Sequence, residues 1–402
     1  MICITFCLCL FTKPVLSSPS IVTKAIKYNL SRIFFLIVFV IPLFSNAQNF
    51  RDMFISKDDG AVDMSEFLNS NTGFLPVPII ITEPAVGFGG GLALAYFHKK
   101  KNAENDGPKG LSPTVSFAAG AYTSNGTWFI GGGHQGSYLN DRIRYLGVLA
   151  YVSPNLTFYG AGFDNLNEKY EFNMKGFFTL QELLYRVKKE IPLFVGLNYL
   201  YFNNDIVFKT GIDIPELEEL EFNTNTAGMN AVFLYDGRDN SLTPNKGIKT
   251  VFEIGTFNEA LGGDNNYGNL DSRTYFYSQV SDKVFSGYRL QVSSKWGDVP
   301  FYELPFISLR GIPALRYQND NVYTLETEWR WNFLKRWSVV GFVGAGEALK
   351  DYGDIFQDIK VAGGTGFRYF LAKQYGLQAG IDIARGPEIW AWNITIGSNW
   401  AR

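Results

Sequence analysis

The chain has 402 residues, and 36 basic against 38 acidic side chains leave a formal net charge of −2. No basic excess exists to hold a polyanion, so nucleic acid is not an expected partner. Aromatic residues make up 16% of the chain and glycine occurs 41 times. Soluble domains carry about 7% glycine. The mean hydropathy is −0.03, and no apolar run reaches the ~20 residues of a membrane helix. A helical membrane protein is therefore excluded, whereas a sheet that alternates lipid-facing and lumen-facing residues fits.

In chain order, the first element is an export signal. Lys24, Lys27 and Arg32 supply positive charge, Ile33 to Val40 form an apolar core extended past Pro42 to Phe44, and Ser45-Asn46-Ala47 offers small residues for cleavage. This pattern predicts a signal or targeting segment over 1–47. The three cysteines are Cys3, Cys7 and Cys9. Cleavage would leave a mature chain without thiols, which suits an oxidising periplasm. Both Cys7 and Cys9 precede the apolar core, so a lipoprotein anchor is not expected. Residues 48–74 are polar and mixed, too short for a folded domain, and are expected to form a short periplasmic extension.

From residue 75 to 402 the chain reads as one transmembrane antiparallel β-barrel of the all-β class. Segments of strand length alternate with turn clusters. The predicted strands are 76–83, 86–98, 113–124, 127–139, 143–153, 171–187, 191–206, 223–236, 247–259, 271–281, 287–298, 321–333, 336–348, 359–371, 375–385 and 389–400. Parity supports them, because strand side chains alternate between faces. In 323–333, Tyr323, Leu325, Trp329, Trp331 and Phe333 oppose Thr324, Glu326, Glu328, Arg330 and Asn332. In 375–384, Tyr375, Leu377, Ala379, Ile381 and Ile383 oppose Gly376, Gln378, Gly380 and Asp382. Opposite charges and glycines on the polar face suit a filled or hydrated lumen. Trp and Tyr toward strand ends suit interfacial girdles. Short connections alternate with longer loops near 154–170, 207–222, 259–270, 299–320 and 349–358. An even strand count puts both termini on the periplasmic side, and 99–112 is then a long periplasmic turn.

Two segments stand out. Tyr235 to Gly247 reads YDGRDNSLTPNKG, a turn in which Asp236, Asp239 and Asn240 can bond nearby backbone, Pro244 presets φ and Gly247 permits a positive φ. Leu309-Arg310-Gly311-Ile312 lies in the longest late loop. Together and in this order they resemble the barrel domain of the BamA/TamA superfamily, the bacterial surface antigen barrels that include two-partner secretion transporters. The resemblance covers about 76–402 and is strongest from 235 onward. Its mid-barrel turn motif is matched by Asp236, Arg238, Asp239, Asn240, Pro244 and Gly247. Its inward sixth loop, tipped Val-Arg-Gly-aromatic, is matched by Arg310 and Gly311, with Leu309 and Ile312 as departures. Its Glu-x-Arg element is matched by Glu328 and Arg330. Phe342 and Gly346 match its Phe-x-Asp-x-Gly, with Gly344 where the aspartate would be. Gly364, Gly366 and Arg368 match its Gly-x-Gly-x-Arg.

The resemblance implies sixteen strands and a loop folded into the lumen. Parity puts Glu328 on the lumen face, so Arg310 is expected to pair with it and pin loop 299–320 inside, with Asp382 as a second acidic partner. Trp400, on the lipid-facing parity of the last strand, is expected to be the terminal aromatic that assembly machinery reads. The superfamily's periplasmic POTRA domains do not fit in 48–74, so a bare barrel is expected.

No enzyme, cofactor or metal site is expected. The acidic run Glu216, Glu218, Glu219 and Glu221 lacks Ca²⁺-loop spacing. The two histidines are His98 and His134. A phospholipase-type barrel would need a Ser–His pair on the lipid face; parity leaves His134 on either face, and no Ser/Asp constellation is visible beside it. The expected function is insertion or translocation of proteins or lipids at the outer membrane. The expected partners are outer-membrane lipid and client polypeptides or envelope assembly proteins. The alternative is a passive pore or structural barrel without an assembly role.

Overall fold

The computed structural model describes residues 53–70, 73–98, 114–159, 170–209 and 219–400. The signal over 1–47, the turn at 99–112, and Glu216 and Glu218 lie outside the described residues. The strands are β1 (Gly73–Ile81), β2 (Gly89–Phe97), β3 (Val115–Thr123), β4 (Trp128–Tyr138), β5 (Ile143–Ser153), β6 (Asn155–Phe158), β7 (Tyr170–Arg186), β8 (Leu193–Lys209) and β9 (Glu219–Asp236). They continue as β10 (Gly247–Phe257), β11 (Tyr267–Gln279), β12 (Val284–Gly297), β13 (Asn321–Trp331), β14 (Trp337–Leu349), β15 (Lys360–Ala372), β16 (Leu377–Arg385) and β17 (Trp390–Ile396). β5 and β6 are one strand broken at Pro154, which lacks the N–H a ladder needs, and both pair with β7. The wall therefore has sixteen strands, the number read from the sequence.

Each strand pairs antiparallel with the next, from β1–β2 to β16–β17. Among the described residues no ladder joins β1 to β17, so the barrel has a seam. The faces follow the alternation: Leu325, Trp329, Trp331, Ile381 and Ile383 are exposed outside, and Thr324, Glu326, Arg330, Gln378 and Asp382 are buried inside. An exposed apolar belt of this extent marks a surface that meets lipid rather than water.

The core is supplied by the barrel's own loop. Ile307, Leu309 and Ile312, between β12 and β13, pack with Val322 and Ala362. Leu315 packs against Phe172, Met174 and Ile206. Left outside, these side chains would face water, and their burial supplies the drive that folds the loop inward.

The extension before β1 is docked on the end of the barrel that carries both termini. Ile55 and Val62 form an isolated bridge, and a short helix α1 follows (Ser65–Ser70). Arg336, in the turn between β13 and β14, anchors it: Nη1 donates to Asp63 Oδ2 at 2.9 Å and Nη2 to Asp59 Oδ1 at 2.7 Å. Tyr369 Oη donates to the Val62 carbonyl at 2.7 Å, and Met64 N–H to the Leu371 carbonyl at 2.7 Å. The hydrogen bond from Arg336 holds the Asp59 carboxyl well below its ordinary value. Burial pushes Asp63 up, but the bonds from Ser65 and Arg336 outweigh it and leave it lowered. Depressed carboxyls stabilise the docked form above their ordinary range, about pH 4, and lose that contribution as pH falls below it. Limited proteolysis should therefore cut 53–70 faster below about pH 4 than at pH 7. Arg336→Ala should make the segment equally sensitive at both.

Candidate functional site

The site is the lumen around Arg310. Its side chain is 5% exposed and faces three carboxylates. Nε and Nη2 both donate to Glu326 Oε1, at 3.0 and 2.8 Å. Nη1 donates to Glu328 Oε2 at 2.7 Å and to Asp382 Oδ2 at 2.9 Å. The guanidinium carbon lies 3.4 Å from the centroid of the Phe342 ring, a cation–π stack in a dry setting. Two further arginines close the network. Arg368 Nη2 donates to Asp382 Oδ2 at 2.9 Å, and Arg289 Nη1 lies 3.6 Å from Glu326 Oε2. Three positive and three negative groups balance, which is what burial of so many charges demands.

The backbone around the loop tip explains the glycines. Gly311 has φ +94°, and a Cβ there would stand 2.8 Å from the Gly386 nitrogen, so the tip lies against the turn between β16 and β17. At Gly344, where the resembled family has an aspartate, a Cβ would come within 2.5 Å of Leu309 Cδ2. The loop's apolar tip occupies the space an acidic side chain would need, and Glu326 supplies the charge from the neighbouring strand. Gly346 similarly leaves room for Ile307, and Gly366 for the Asp382 carboxylate; Gly364 faces the Ile383 carbonyl.

The sequence reading named Glu328 and Asp382 but not Glu326, although parity places Glu326 on the same face. Trp400 requires a correction. It was expected on the lipid side, yet it is 3% exposed inside the barrel. β17 ends at Ile396, and Gly397 with φ +76° turns the chain inward. The Trp400 indole Nε1–H then donates to Glu326 Oε2 at 2.8 Å, and the ring packs on Tyr275 and Tyr277. An apolar indole with one donor is well suited to such a half-polar niche.

The mid-barrel turn forms a floor. Arg238 grips Asp236 with two bonds of 2.7 and 2.8 Å. Asp239 Oδ1 accepts the Asn245 N–H at 2.9 Å, and Asn240 Oδ1 the Leu242 and Thr243 N–H groups at 2.7 and 3.0 Å. Pro244 follows, and Gly247 has φ +111°. The turn reaches across the mouth: Asn240 Nδ2 donates to the Tyr375 carbonyl at 2.9 Å, and Ser398 N–H to the Leu242 carbonyl at 2.5 Å. Thr243, Pro244, Glu328, Arg330 and Trp400 line a residual cavity of about 30 Å³, room for one water.

An Omp85 superfamily domain model matches residues 151–308, which takes in the mid-barrel turn and stops two residues short of Arg310. The fold is similar to that of BamA from Haemophilus ducreyi lacking POTRA domains 1–3, with a TM-score of 0.56 and 10% identity over 81% of this chain and 70% of that one. It is also similar to CdiB from Escherichia coli, with a TM-score of 0.51 and 12% identity over 79% of this chain and 61% of that one. No curated protein matches the sequence. Residues 151–308 thus match the Omp85 superfamily domain, and the barrel as a whole has the fold of the BamA and CdiB barrels. It is an outer-membrane barrel.

Within this barrel, Arg310→Ala would leave three carboxylates facing one another without their shared cation. The cost of breaking such a buried set is on the order of 3–5 kcal/mol. Heat-dependent mobility on electrophoresis should show a lower unfolding temperature, and a protease should reach loop 299–320 from outside. Trp400→Phe removes one bond to a charged acceptor, about 1.5–3 kcal/mol, and should lower the unfolding temperature less than Arg310→Ala does.

Proposed function

We propose that this barrel inserts or translocates polypeptides, or lipids, at the outer membrane, and that the client engages the seam between β1 and β17. The observation that carries the reading is the pair of strand edges without a common ladder, set beside a lumen into which loop, floor and Trp400 project. A lumen crossed by a loop pinned through Arg310 does not suit a passive pore. A free edge presents backbone donors and acceptors that gain by taking a partner strand, most of all in lipid where no water can satisfy them.

Several local features support an openable seam. Pro76 and Pro78 lie in β1, and a proline gives no donor to a ladder, which suits a strand with one edge left free. β17 has only seven residues. Side-chain and loop contacts cross the seam at the end remote from the termini. Phe88 and Trp392 stack with centroids 5.7 Å apart. The Ala314 N–H donates to Glu83 Oε1 at 3.2 Å, and Arg316 Nε to Glu388 Oε2 at 2.9 Å. The inward loop thus touches the hairpins on both sides of the seam, so moving the loop would release both.

The test is reconstitution. Vesicles holding the folded full chain should accelerate membrane insertion of a small, urea-unfolded outer-membrane barrel, read by its heat-modifiable mobility, over protein-free vesicles. Equal rates together with a steady single-channel conductance would overturn the reading in favour of a passive pore.

A further inference from the structure

A second chemical feature lies on the opposite surface of the wall, facing lipid. On β2 to β5 the exposed apolar residues Leu92, Leu94, Tyr122, Ile130 and Leu149 fix which parity points outward. The ladders pair Tyr96 with Ser116 and Ser116 with His134, so these three also point outward, in one row across β2, β3 and β4. His98, just past the end of β2, has the same parity. The register therefore settles the face of His134, which alternation in the sequence left open.

The row is hydrogen-bonded. Ser116 Oγ lies 2.8 Å from His134 Nδ1 and 2.9 Å from His98 Nε2. His134 Nε2 is bonded to the Tyr138 hydroxyl. The serine hydroxyl has one proton. With the His134 Nε2–H given to Tyr138, Nδ1 is the acceptor for that proton, and His98 Nε2–H donates to Ser116 Oγ. A nucleophile, a base and a group that orients the base stand in sequence, the arrangement that activates a serine.

The depth is as telling as the bonding. Ser116 is the second residue of β3 and Tyr138 the last of β4, at the end of the barrel that bears the termini. Exposed Tyr96, Tyr138 and Tyr185 ring the wall at that end, as an interfacial girdle does. Acyl esters of lipids lie at this boundary between headgroup and hydrocarbon. Toward the membrane centre the next outward positions are small: Ala118 and Gly120 on β3, and Gly132 on β4, between Leu94 on one side and Leu149 on the other. They leave a shallow trough, about two strand spacings or 10 Å wide, that leads from Ser116 into the apolar belt and matches an acyl chain.

We propose that Ser116 and His134 form a hydrolytic dyad for the acyl ester of a glycerophospholipid in the leaflet on the side of the termini. Ser116 Oγ attacks the ester carbonyl carbon while its proton passes to His134 Nδ1. The carbonyl oxygen takes the negative charge and faces His98 Nε2–H. The bond to the glycerol oxygen breaks, that oxygen takes the proton from His134, and an acyl ester remains on Ser116. Water then gives a proton to His134 and attacks the acyl carbon; the proton returns to Ser116 Oγ as the fatty acid leaves. This chemistry is separate from the seam and would stand if the transport reading failed.

The experiment uses the full chain, folded in vesicles of phosphatidylethanolamine and phosphatidylglycerol. Expected results are release of fatty acid and labelling by a fluorophosphonate probe that peptide mapping places on Ser116. Ser116→Ala should abolish labelling, and His134→Ala should lower release by about 10²–10⁴-fold, the usual worth of a general base. Both variants should keep the wild-type heat-modifiable mobility, because both side chains lie outside the core. Release that persists in Ser116→Ala, or a folded wild type that neither releases fatty acid nor takes the probe, would overturn the proposal and leave the row as a polar part of the girdle.

Discussion

The lumen of this barrel is organised by one cation that has nowhere else to go. A guanidinium carried into a protein interior costs several kcal/mol unless acceptors meet it, and Arg310 is met by Glu326, Glu328 and Asp382. Much else follows from that requirement. The loop must enter the barrel, so its tip must be narrow, which Gly311 and the bare Cα of Gly344 allow. The carboxylates must be neutralised in turn, which brings Arg289 and Arg368 to them. The same loop then meets Glu83 and Glu388 on either side of the seam. Filling the lumen and holding the seam are thus one structural act.

The fold was legible in the sequence because each strand buries one face against the lumen and shows the other to lipid. Period-two alternation records that directly. Arg310 and Glu328 were legible through ordered motifs and parity. Parity assigns a face but not a depth, so Glu326, two residues before Glu328 and on the same face, was not singled out as the two-bond partner. Trp400 was misplaced because parity was carried through Gly397. That residue's positive φ ends the strand, and nothing in the sequence sets this glycine apart from the other 40 of the chain's 41. The glycine run Gly131–Gly133 likewise erased the alternation that would have assigned His134 to a face; only the register with β3 restored it.

The extension before β1 shows a different limit. Composition marks it only as polar and short. Its docking depends on Arg336, which is 277 positions from Asp59 and belongs to no motif. Long-range ion pairs of this kind are set by the shape of the barrel rim, which strand pairing creates, and local sequence cannot express it. The mid-barrel turn is the opposite case. Its Asp, Asn, Pro and Gly residues announce a turn locally, but its reach to Tyr375 and Ser398 exists only once β9 and β10 face β16 and β17 across the mouth.

Wall height varies around the barrel, and the variation bears on both proposed activities. β7, β8 and β9 have 17, 17 and 18 residues, whereas β1, β2, β3 and β16 have nine and β17 seven. A membrane strand needs about 9–11 residues, so the wall is at or below the minimum on the seam side. A bilayer meeting a short apolar wall thins and packs less well, at a cost of a fraction of a kcal/mol per ångström. Thinning lowers the barrier to placing a new strand at the β1 and β17 edges. It would also draw the lipid ester layer toward the short strands β2 and β3, beside which β4 presents His134 to Ser116. The same asymmetry therefore sets the shortest part of the wall both at the seam and beside the row that presents Ser116 and His134.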